Sequence, residues 1–393
     1  MRMREFKKLM MVLLAVLLVG SGVQGQVGRL PVFERAAEVD KIVWEEMKAQ
    51  EIVGMAVGLI QGGEIVYLQG YGWADRENFT AVTRSTTFRW ASISKTVTAV
   101  AALQLAEAGI LDLDKDIREY VPEFPDKGEV ITARQILCHT GGITHYSDNI
   151  IRTVRSYELD HPYEDVVLAL DNFKETPLIG KPGERYSYST HAFILLSAAV
   201  QKAGGAKFAD QVRHRIVEPS GMRTLQPDYQ WVDIPHRTIG YRKDRQSGEI
   251  IRSVDADVSW KLGGGGLISN IDDLARFAEA MINTELVSKK TEEMIFTRQK
   301  TNDGREVSYG LGFQLSGVGE DLQVSHGGSQ EKTRTHMAFY PRKGTGVLVM
   351  CNSEHANPTR FVKLLFPVVN ADERLTTKFT KDTKEEEKKI RQD

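Results

Sequence analysis

Apolar positions recur at helical spacing in several parts of the chain. In residues 36–50 they fall on one face of a helix, which predicts an amphipathic helix. The same spacing predicts a second helix over residues 92–108, and Gly109 is placed to end it because glycine tolerates left-handed backbone angles. Further helices are predicted at 192–203, 271–282 and 357–366.

Short runs rich in β-branched residues lie near both ends of the chain. Residues 53–60 and 65–71 flank the turn sequence Gln61-Gly62-Gly63-Glu64, which predicts a hairpin. Later strands are predicted at 322–326, 335–340 and 346–351. Because residues between about 110 and 300 are mostly helix and loop, we expect an α/β (α+β) fold. One sheet would be built from both ends, flanked by helices and interrupted by a large helical insertion.

The first 25 residues have the layout of a secretory signal peptide. Four basic residues precede the apolar run 9–19, and small residues lead to Gln26. That run is shorter than the roughly 20 residues needed to cross a bilayer. We therefore expect an exported protein, periplasmic or secreted, with no stable membrane span after signal removal. An uncleaved membrane anchor is the alternative.

The remaining chain divides by composition. We expect residues 26–375 to form one domain and residues 376–393 to be a charged tail. Within the domain, segments 36–90 and 305–367 would supply the sheet part and residues 92–300 the helical part.

Charge and motif content exclude several classes of partner. The net charge of −2 becomes about −5 without the leader, which carries four basic residues and one acidic residue, so we expect no nucleic acid partner. The nine histidines and two cysteines show no metal-ligand spacing, so we expect neither a metal nor another cofactor. We interpret Gly263 to Gly266 as a flexible loop. Cys138 and Cys351 fit buried free thiols better than a disulfide.

Three segments carry candidate chemistry. The first is Ser92-Ile93-Ser94-Lys95, in which residues three apart share a helix face, so the lysine amine can reach the serine hydroxyl. A serine needs such a base, and a lysine serves as one when its pKa falls. By itself this spacing also arises by chance on protein surfaces. The two other segments therefore decide its meaning.

The second segment is Tyr186-Ser187-Tyr188-Ser189-Thr190, whose phenol would pass a proton to a leaving group. The third is Ser325-His326-Gly327-Gly328-Ser329 at the end of a predicted strand. A backbone N–H in this strand would face an oxyanion. The alternative interpretations are a packing tyrosine and a turn with a half-buried histidine.

In this order the three segments resemble the motifs of the serine β-lactamase and penicillin-binding-protein superfamily, S-x-x-K, Y-x-N and K-T-G or H-x-G. The resemblance covers about residues 36–367 and is strengthened by segments 131–142 and 309–313. It implies an antiparallel sheet of the β-lactamase/transpeptidase type. The most similar branch is the class C-like hydrolases, which include a filament-forming mitochondrial serine β-lactamase-like protein.

The resemblance implies a role for each residue. Ser92 would attack the carbonyl, Lys95 would be the base, and Tyr188 would pass protons to the leaving group. The N–H groups of Ser92 and Ser329, beside Gly328, would form the oxyanion hole, and His326 would shape the carboxylate side of the substrate.

Two residues depart from the family pattern. Thr190 stands where the family usually has asparagine, and its short side chain offers only a hydroxyl for substrate binding. His326 stands where a lysine is usual and is mostly neutral at pH 7. Lys332 or Arg334 would supply the missing charge, unless both are simply solvated.

The resemblance therefore implies an exported active-site-serine hydrolase acting through an acyl-enzyme on Ser92. Its substrate would be a β-lactam, an ester or a peptide amide. Two alternatives stay open: a penicillin or peptidoglycan sensor that acylates with little turnover, and a filament-forming assembly protein. The oligomeric state is left open by the sequence.

Overall fold

The computed structural model describes residues 33–146 and 162–371 of the chain. Its α-helices are α1 (Ala36–Gln50), α2 (Ser94–Glu107), α3 (Ala133–Leu137), α4 (Thr190–Gly204), α5 (Phe208–Val212), α6 (Leu262–Gly265), α7 (Ile271–Ile282), α8 (Lys289–Ile295) and α9 (Pro358–Val369). Its strands are β1 (Gly54–Gln61), β2 (Glu64–Asp75), β3 (Thr80–Ala81), β4 (Phe88–Arg89), β5 (Gln226–Pro227), β6 (Tyr241–Lys243), β7 (Ile250–Arg252), β8 (Leu267–Ser269), β9 (Gln314–Ser316), β10 (Gln323–Gln330), β11 (Thr333–Tyr340) and β12 (Thr345–Cys351).

Strands from both ends of the chain form the main sheet. In the part of the chain that the structure describes, it has seven strands in the order β3-β2-β1-β12-β11-β10-β9, and neighbouring strands are antiparallel. The two ends join where β1 pairs with β12, with Val57 opposite Val349. The predicted sheet built from N-terminal and C-terminal segments is confirmed.

Helices cover both faces of this sheet. On one face, α1 and α9 pack on β1, β11 and β12 through apolar side chains that include Val43, Phe361 and Leu365. On the other face, α7 packs on the sheet at Gly58, where an added Cβ would lie 3.5 Å from Ile271 and 3.6 Å from Ala275. Burial of these side chains is the main stabilising contribution to the layered arrangement.

The inserted region is built around α2, α4 and α6, which pack against one another. The hydroxyl of Ser189 accepts a hydrogen bond from the N–H of Ala192 at 3.0 Å and thereby caps the start of α4. Gly205 ends that helix in the left-handed conformation, with φ of 70°. This capped helix fixes the segment that carries Tyr188.

Most helix predictions agree closely with the structure. The helices predicted at 36–50 and 271–282 have the observed bounds of α1 and α7. The helix predicted at 92–108 begins as a 3₁₀ turn, Ala91–Ile93, and continues as α2. Strand β10 runs four residues beyond its predicted end, because its pairing with β11 continues to Gln330.

The glycine run from Gly263 to Gly266 was predicted to be a flexible loop, and this prediction is wrong. Its first three glycines end the buried helix α6. A Cβ on Gly263 would lie 2.4 Å from the Cβ of Ser197, and one on Gly264 would lie 2.6 Å from the Cγ2 of Thr190. The glycines are therefore needed for close packing of α6 on α4.

Both cysteines, Cys138 and Cys351, are buried free thiols, as the sequence favoured. Within residues 33–146 and 162–371, no helix is both long and apolar enough to span a membrane. The predicted signal peptide and charged tail lie outside the described residues. The predicted domain boundaries stay a prediction.

Candidate active site

Ser92 lies in the 3₁₀ turn that connects β4 to α2. Ala91, directly before it, has a φ of 48°, which is a left-handed conformation that costs an alanine about 1–2 kcal/mol. This turn directs the chain from the sheet into the helix and leaves the Ser92 side chain half-buried at its corner.

Lys95 follows one helical turn later and is completely buried. Its amine nitrogen Nζ lies 3.2 Å from the hydroxyl oxygen of Ser92, 3.0 Å from Oγ1 of Thr190 and 2.5 Å from the carbonyl oxygen of Gly264. The ring of Tyr188 packs beside the same amine, with 4.9 Å between Nζ and the ring centroid. The amine is therefore surrounded on several sides.

Burial lowers the pKa of Lys95 well below its ordinary value of 10.5, and the positive charge of Lys261 lowers it further. An uncharged amine has two N–H donors and one lone pair. The carbonyl of Gly264 only accepts, so it takes one N–H, and Thr190 accepts the other. The lone pair is then directed to the hydroxyl proton of Ser92, as a base requires.

Lys261 is the second buried lysine of this region, and 3% of its side chain is exposed. Its ammonium lies 5.1 Å from the ring of Trp260, 5.4 Å from the ring of Tyr146 and 4.0 Å from a carboxylate oxygen of Glu331. The aromatic faces and the carboxylate stabilise a charged Lys261. Its charge in turn favours an uncharged Lys95.

Tyr188 lies just before α4, with its phenol facing Ser92. Burial raises the pKa of Tyr188 above its ordinary value, and a hydrogen bond with Ser92 opposes part of that rise. The phenol therefore keeps its proton at neutral pH and is placed to exchange it near Ser92 and Lys95.

Two imidazoles hold the backbone of the tyrosine segment. Nδ1 of His139 accepts a hydrogen bond from the N–H of Ser189, and Nδ1 of His145 accepts one from the N–H of Thr190, each at 3.1 Å. The ring of His139 also packs on that of Tyr188, with centroids 4.3 Å apart. Neither of these two hydrogen bonds was predicted, because each joins residues 45 or more positions apart.

Strand β10 forms the opposite wall. A Cβ on Gly328 would lie 2.5 Å from the carbonyl oxygen of Trp90 and 2.1 Å from Oγ1 of Thr335, so only glycine allows this close approach. The hydroxyl of Thr335 donates to the same Trp90 carbonyl at 3.0 Å. These contacts hold β10 against the turn that carries Ser92, and Ser92 and Ser329 both line the resulting cleft.

His326 lies in β10 and is buried. Its Nε2 is 2.9 Å from the hydroxyl of Tyr309, and its Nδ1 is 2.7 Å from the carbonyl oxygen of Gly327. Burial lowers the pKa of His326 to about 3. A neutral ring satisfies both contacts if Nδ1 donates to Gly327 and the Tyr309 hydroxyl donates to Nε2. His326 is therefore uncharged at neutral pH.

The cleft has a volume of about 670 Å³. Arg334 is the one permanently charged side chain among the described residues that line it. It lies opposite Ser329 in the β10–β11 pairing, and its Nη1 donates to the carbonyls of Gln330 and Thr333 at 2.7 Å each. Lys332, the other basic candidate, forms an ion pair with Asp255 instead.

Residues 39–366 match the Beta-lactamase family model, which accounts for most of the chain. The chain belongs to the beta-lactamase family. It is a member of the β-lactamase-fold serine hydrolases, which confirms the resemblance seen in the sequence.

Proteins similar to this beta-lactamase-family chain include a beta-lactamase-like protein, an esterase and a penicillin-binding protein homologue. The human mitochondrial serine beta-lactamase-like protein LACTB is 29% identical over 314 residues, covering 64% of this chain and 57% of LACTB. Esterase EstB of Burkholderia gladioli is 26% identical over 367 residues, covering 81% of this chain and 91% of EstB. The structure of the octameric penicillin-binding protein homologue from Pyrococcus abyssi has a TM-score of 0.72 at 24% identity. That match covers 85% of this chain and 77% of the homologue, and it supports the fold alone.

The structure brings most predicted site residues of this beta-lactamase-family chain to one place. Ser92, Tyr188, His326, Gly328 and Ser329 line the cleft. Lys95 lies directly behind Ser92. Thr190 is buried, 2% exposed, and its contact in the site is the amine of Lys95. Within the described residues, no group of three or more histidine, cysteine, aspartate or glutamate side chains is arranged to hold a metal ion.

Proposed function

We propose that the protein hydrolyses a carboxylic ester or amide through an acyl-enzyme on Ser92. The observation that carries this proposal is the buried amine of Lys95, 3.2 Å from the Ser92 hydroxyl, in a site that lowers the pKa of the amine and so favours its uncharged form. A buried, uncharged amine beside a serine hydroxyl is arranged to accept its proton.

The reaction follows from these positions. Nζ of Lys95 accepts the hydroxyl proton as Oγ of Ser92 bonds to the substrate carbonyl carbon. The N–H groups of Ser92 and Ser329 stabilise the oxyanion that forms. Loss of one such donor typically costs about 3–4 kcal/mol in the barrier. Tyr188 gives a proton to the leaving nitrogen or oxygen and regains one from Lys95, which leaves an acyl ester on Ser92.

Water completes the cycle. A water molecule adds to the acyl carbonyl and loses a proton to the uncharged amine of Lys95, either directly or through Tyr188, which gives its own proton to Lys95 as it takes the one from water. The resulting tetrahedral intermediate expels Oγ of Ser92, which takes the proton back from Lys95. The carboxylic acid product leaves. Thr190 contacts Lys95, so in this proposal it positions the base and does not touch the substrate.

The charge of the cleft bears on substrate class. Because His326 is neutral, Arg334 is the group that would contact an anionic part of a substrate near Ser329. This arrangement supports general ester, β-lactam or peptide-amide hydrolysis, including peptides of D-amino acids, over a specialised drug-resistance activity. Export rests on the leader sequence and stays a prediction.

An active-serine phosphonate probe tests the nucleophile. We expect the probe to add mass to the peptide that contains Ser92, and Ser92→Ala protein to stay unlabelled. Ser247→Ala, at an exposed turn serine, is the matched control and should label like the wild type. Equal labelling of Ser92→Ala protein would contradict the proposal. Turnover of nitrocefin, p-nitrophenyl esters and D-Ala-D-Ala peptides then ranks the substrate classes.

One observation favours a second candidate, a sensor that acylates but scarcely turns over. No aspartate or glutamate is among the described residues that line the cleft, so no carboxylate there would activate the deacylating water. A burst of product with no steady-state turnover after it would support the sensor, and continued steady-state turnover would support the hydrolase.

The assembly hypothesis gains no support from the described residues and stays an alternative.

A further inference from the structure

A second cavity, here called the side pocket, adjoins the catalytic cleft. It has a volume of about 610 Å³, and its lining includes Arg185, Tyr186, Arg305, Val307, Gln314 and Leu315. Tyr186 and Gln314 also line the catalytic cleft, so the two cavities meet at these side chains.

Two side chains in contact, Tyr309 and His326, separate the two cavities beside this junction. Tyr309 lines the side pocket, and its hydroxyl contacts Nε2 of His326, which lines the cleft. Strand β9 borders this wall and pairs with β10 only from Gln323 to Ser325. A substrate long enough to pass Tyr186 and Gln314 would therefore enter the side pocket from the cleft.

The side pocket has a cation, Arg185, that forms no ion pair within the described residues. Arg185 donates from Nη2 to the carbonyl oxygen of Ile179 at 2.7 Å and forms no ion pair in residues 33–146 and 162–371. Arg305, by contrast, is paired with Asp303 at 2.7 Å. Glu306 is the one acidic residue among the described residues that line the pocket. Arg185 is thus the group available to an anionic ligand.

The pocket also offers apolar surface next to this charge. Tyr186 is 40% exposed, and Val307 and Leu315 form part of the wall. An aromatic face, a guanidinium and several hydroxyl groups suit a peptide-like chain better than a compact ester. An arginine–carboxylate contact adds a charge-assisted hydrogen bond to such a chain.

We propose that the side pocket binds the distal part of an extended, peptide-like substrate and that Arg185 contacts a carboxylate in that part. The inference rests on the proposed acylation of Ser92. It adds that short esters use the catalytic cleft alone, whereas longer anionic substrates occupy both cavities.

Two matched series of substrates test it. Each contains the same scissile ester, extended by zero, one or two residues, and ends either in a free carboxylate or in a carboxamide. We expect Arg185→Gln to raise KM about tenfold for at least one of the extended substrates that end in a carboxylate. KM for the carboxamide series and for the short ester should not change. Lys300→Gln is the matched control, because Lys300 is exposed and does not line the pocket. Equal effects on the two series, or no effect on either, would overturn the role of Arg185.

A second variant tests whether substrates occupy the side pocket, and it leaves the charge of Arg185 in place. Ser316 lines the side pocket and is exposed, so Ser316→Trp should fill the space without disturbing the core. We expect every extended substrate to lose kcat/KM while the short ester keeps it, and equal loss for all substrates would contradict the proposal. Calorimetric binding of the extended carboxylate substrate to Ser92→Ala protein distinguishes failure of the side-pocket proposal from failure of the proposed acylation of Ser92. Binding that Arg185→Gln weakens in this background supports the side pocket even if Ser92 proves not to be the nucleophile.

Discussion

The amine of Lys95 lies 2.5 Å from the carbonyl oxygen of Gly264. Because a carbonyl only accepts hydrogen bonds, this contact commits one N–H of the amine and turns the lone pair of an uncharged lysine toward Ser92. Gly264 reaches that position because α6 packs on α4 with no side chain between them. The orientation of the base therefore depends on helix packing as well as on the S-x-x-K spacing.

Removing the hydroxyl of Thr190 should slow acylation. Thr190→Val keeps the shape of the side chain but removes the acceptor 3.0 Å from Nζ of Lys95. Since one hydrogen bond typically contributes about 1 kcal/mol, we expect kcat for a p-nitrophenyl ester to fall about fivefold to tenfold with KM little changed. Thr190→Ser should restore most of the activity.

Thr96→Val is the control for this variant, because it removes a different buried hydroxyl from the same region, one that donates to the carbonyl of Ile93 at 2.8 Å. It should lower stability without lowering the acylation rate. If both valine variants slowed acylation equally, a specific role of Thr190 would be excluded.

The pH dependence of acylation should reflect the lowered pKa of Lys95. The base acts in its uncharged form, which exists above its pKa, so kcat/KM should rise with pH through a limb centred well below pH 10.5 and then level off. Lys261→Met removes a positive charge that lowers this pKa, and the rising limb should move to higher pH. A limb centred near the ordinary lysine value in the wild type would contradict this assignment.

Adjacent glycines in β10 should tolerate alanine very differently. Gly328→Ala places a Cβ 2.5 Å from the carbonyl oxygen of Trp90, whereas Gly327→Ala meets nothing closer than 3.8 Å. We expect Gly328→Ala to lower the free energy of unfolding by about 1–3 kcal/mol through overpacking, and Gly327→Ala to have a much smaller effect. Urea unfolding measures both, and similar losses would show that the close approach is unimportant.

A buried ion pair should support the strand that leads to Ser92. Nε of Arg89 lies 2.5 Å from a carboxylate oxygen of Asp228, and the two side chains are 4% and 0% exposed. Asp228→Ala would leave the Arg89 charge buried without its partner, so we expect a loss of about 3–5 kcal/mol in the free energy of unfolding.

Glu45→Ala is the comparison, because its 4.0 Å contact with Lys41 is solvent-exposed. This variant should lose at most about 1 kcal/mol. Comparable losses for the two variants, measured by urea unfolding, would rule out a special contribution from the buried pair.

Local sequence patterns predicted much of the fold and the centre of the site. The bounds of α1 and α7 follow from apolar periodicity, and the hairpin of β1 and β2 follows from its glycine turn. The meeting of Ser92 and Lys95 also follows, since a single helical turn separates them. In each case the interacting residues are close in sequence, so backbone geometry alone brings them together.

The groups that orient and tune this pair depend on the tertiary structure. Thr190 and Gly264 reach Lys95 from 95 and 169 positions away, and no local pattern predicts such contacts. No local pattern predicts the hydrogen bond between the imidazole of His139 and the backbone of the tyrosine segment. Nor does one predict which basic residue would line the cleft: Lys332 pairs with Asp255, and Arg334 lines it. The sequence by itself determined which serine hydroxyl and lysine amine would meet as the proposed nucleophile and base. Only the packing of distant segments decided their burial, hydrogen bonds and charge, because these properties depend on which surfaces the fold removes from water.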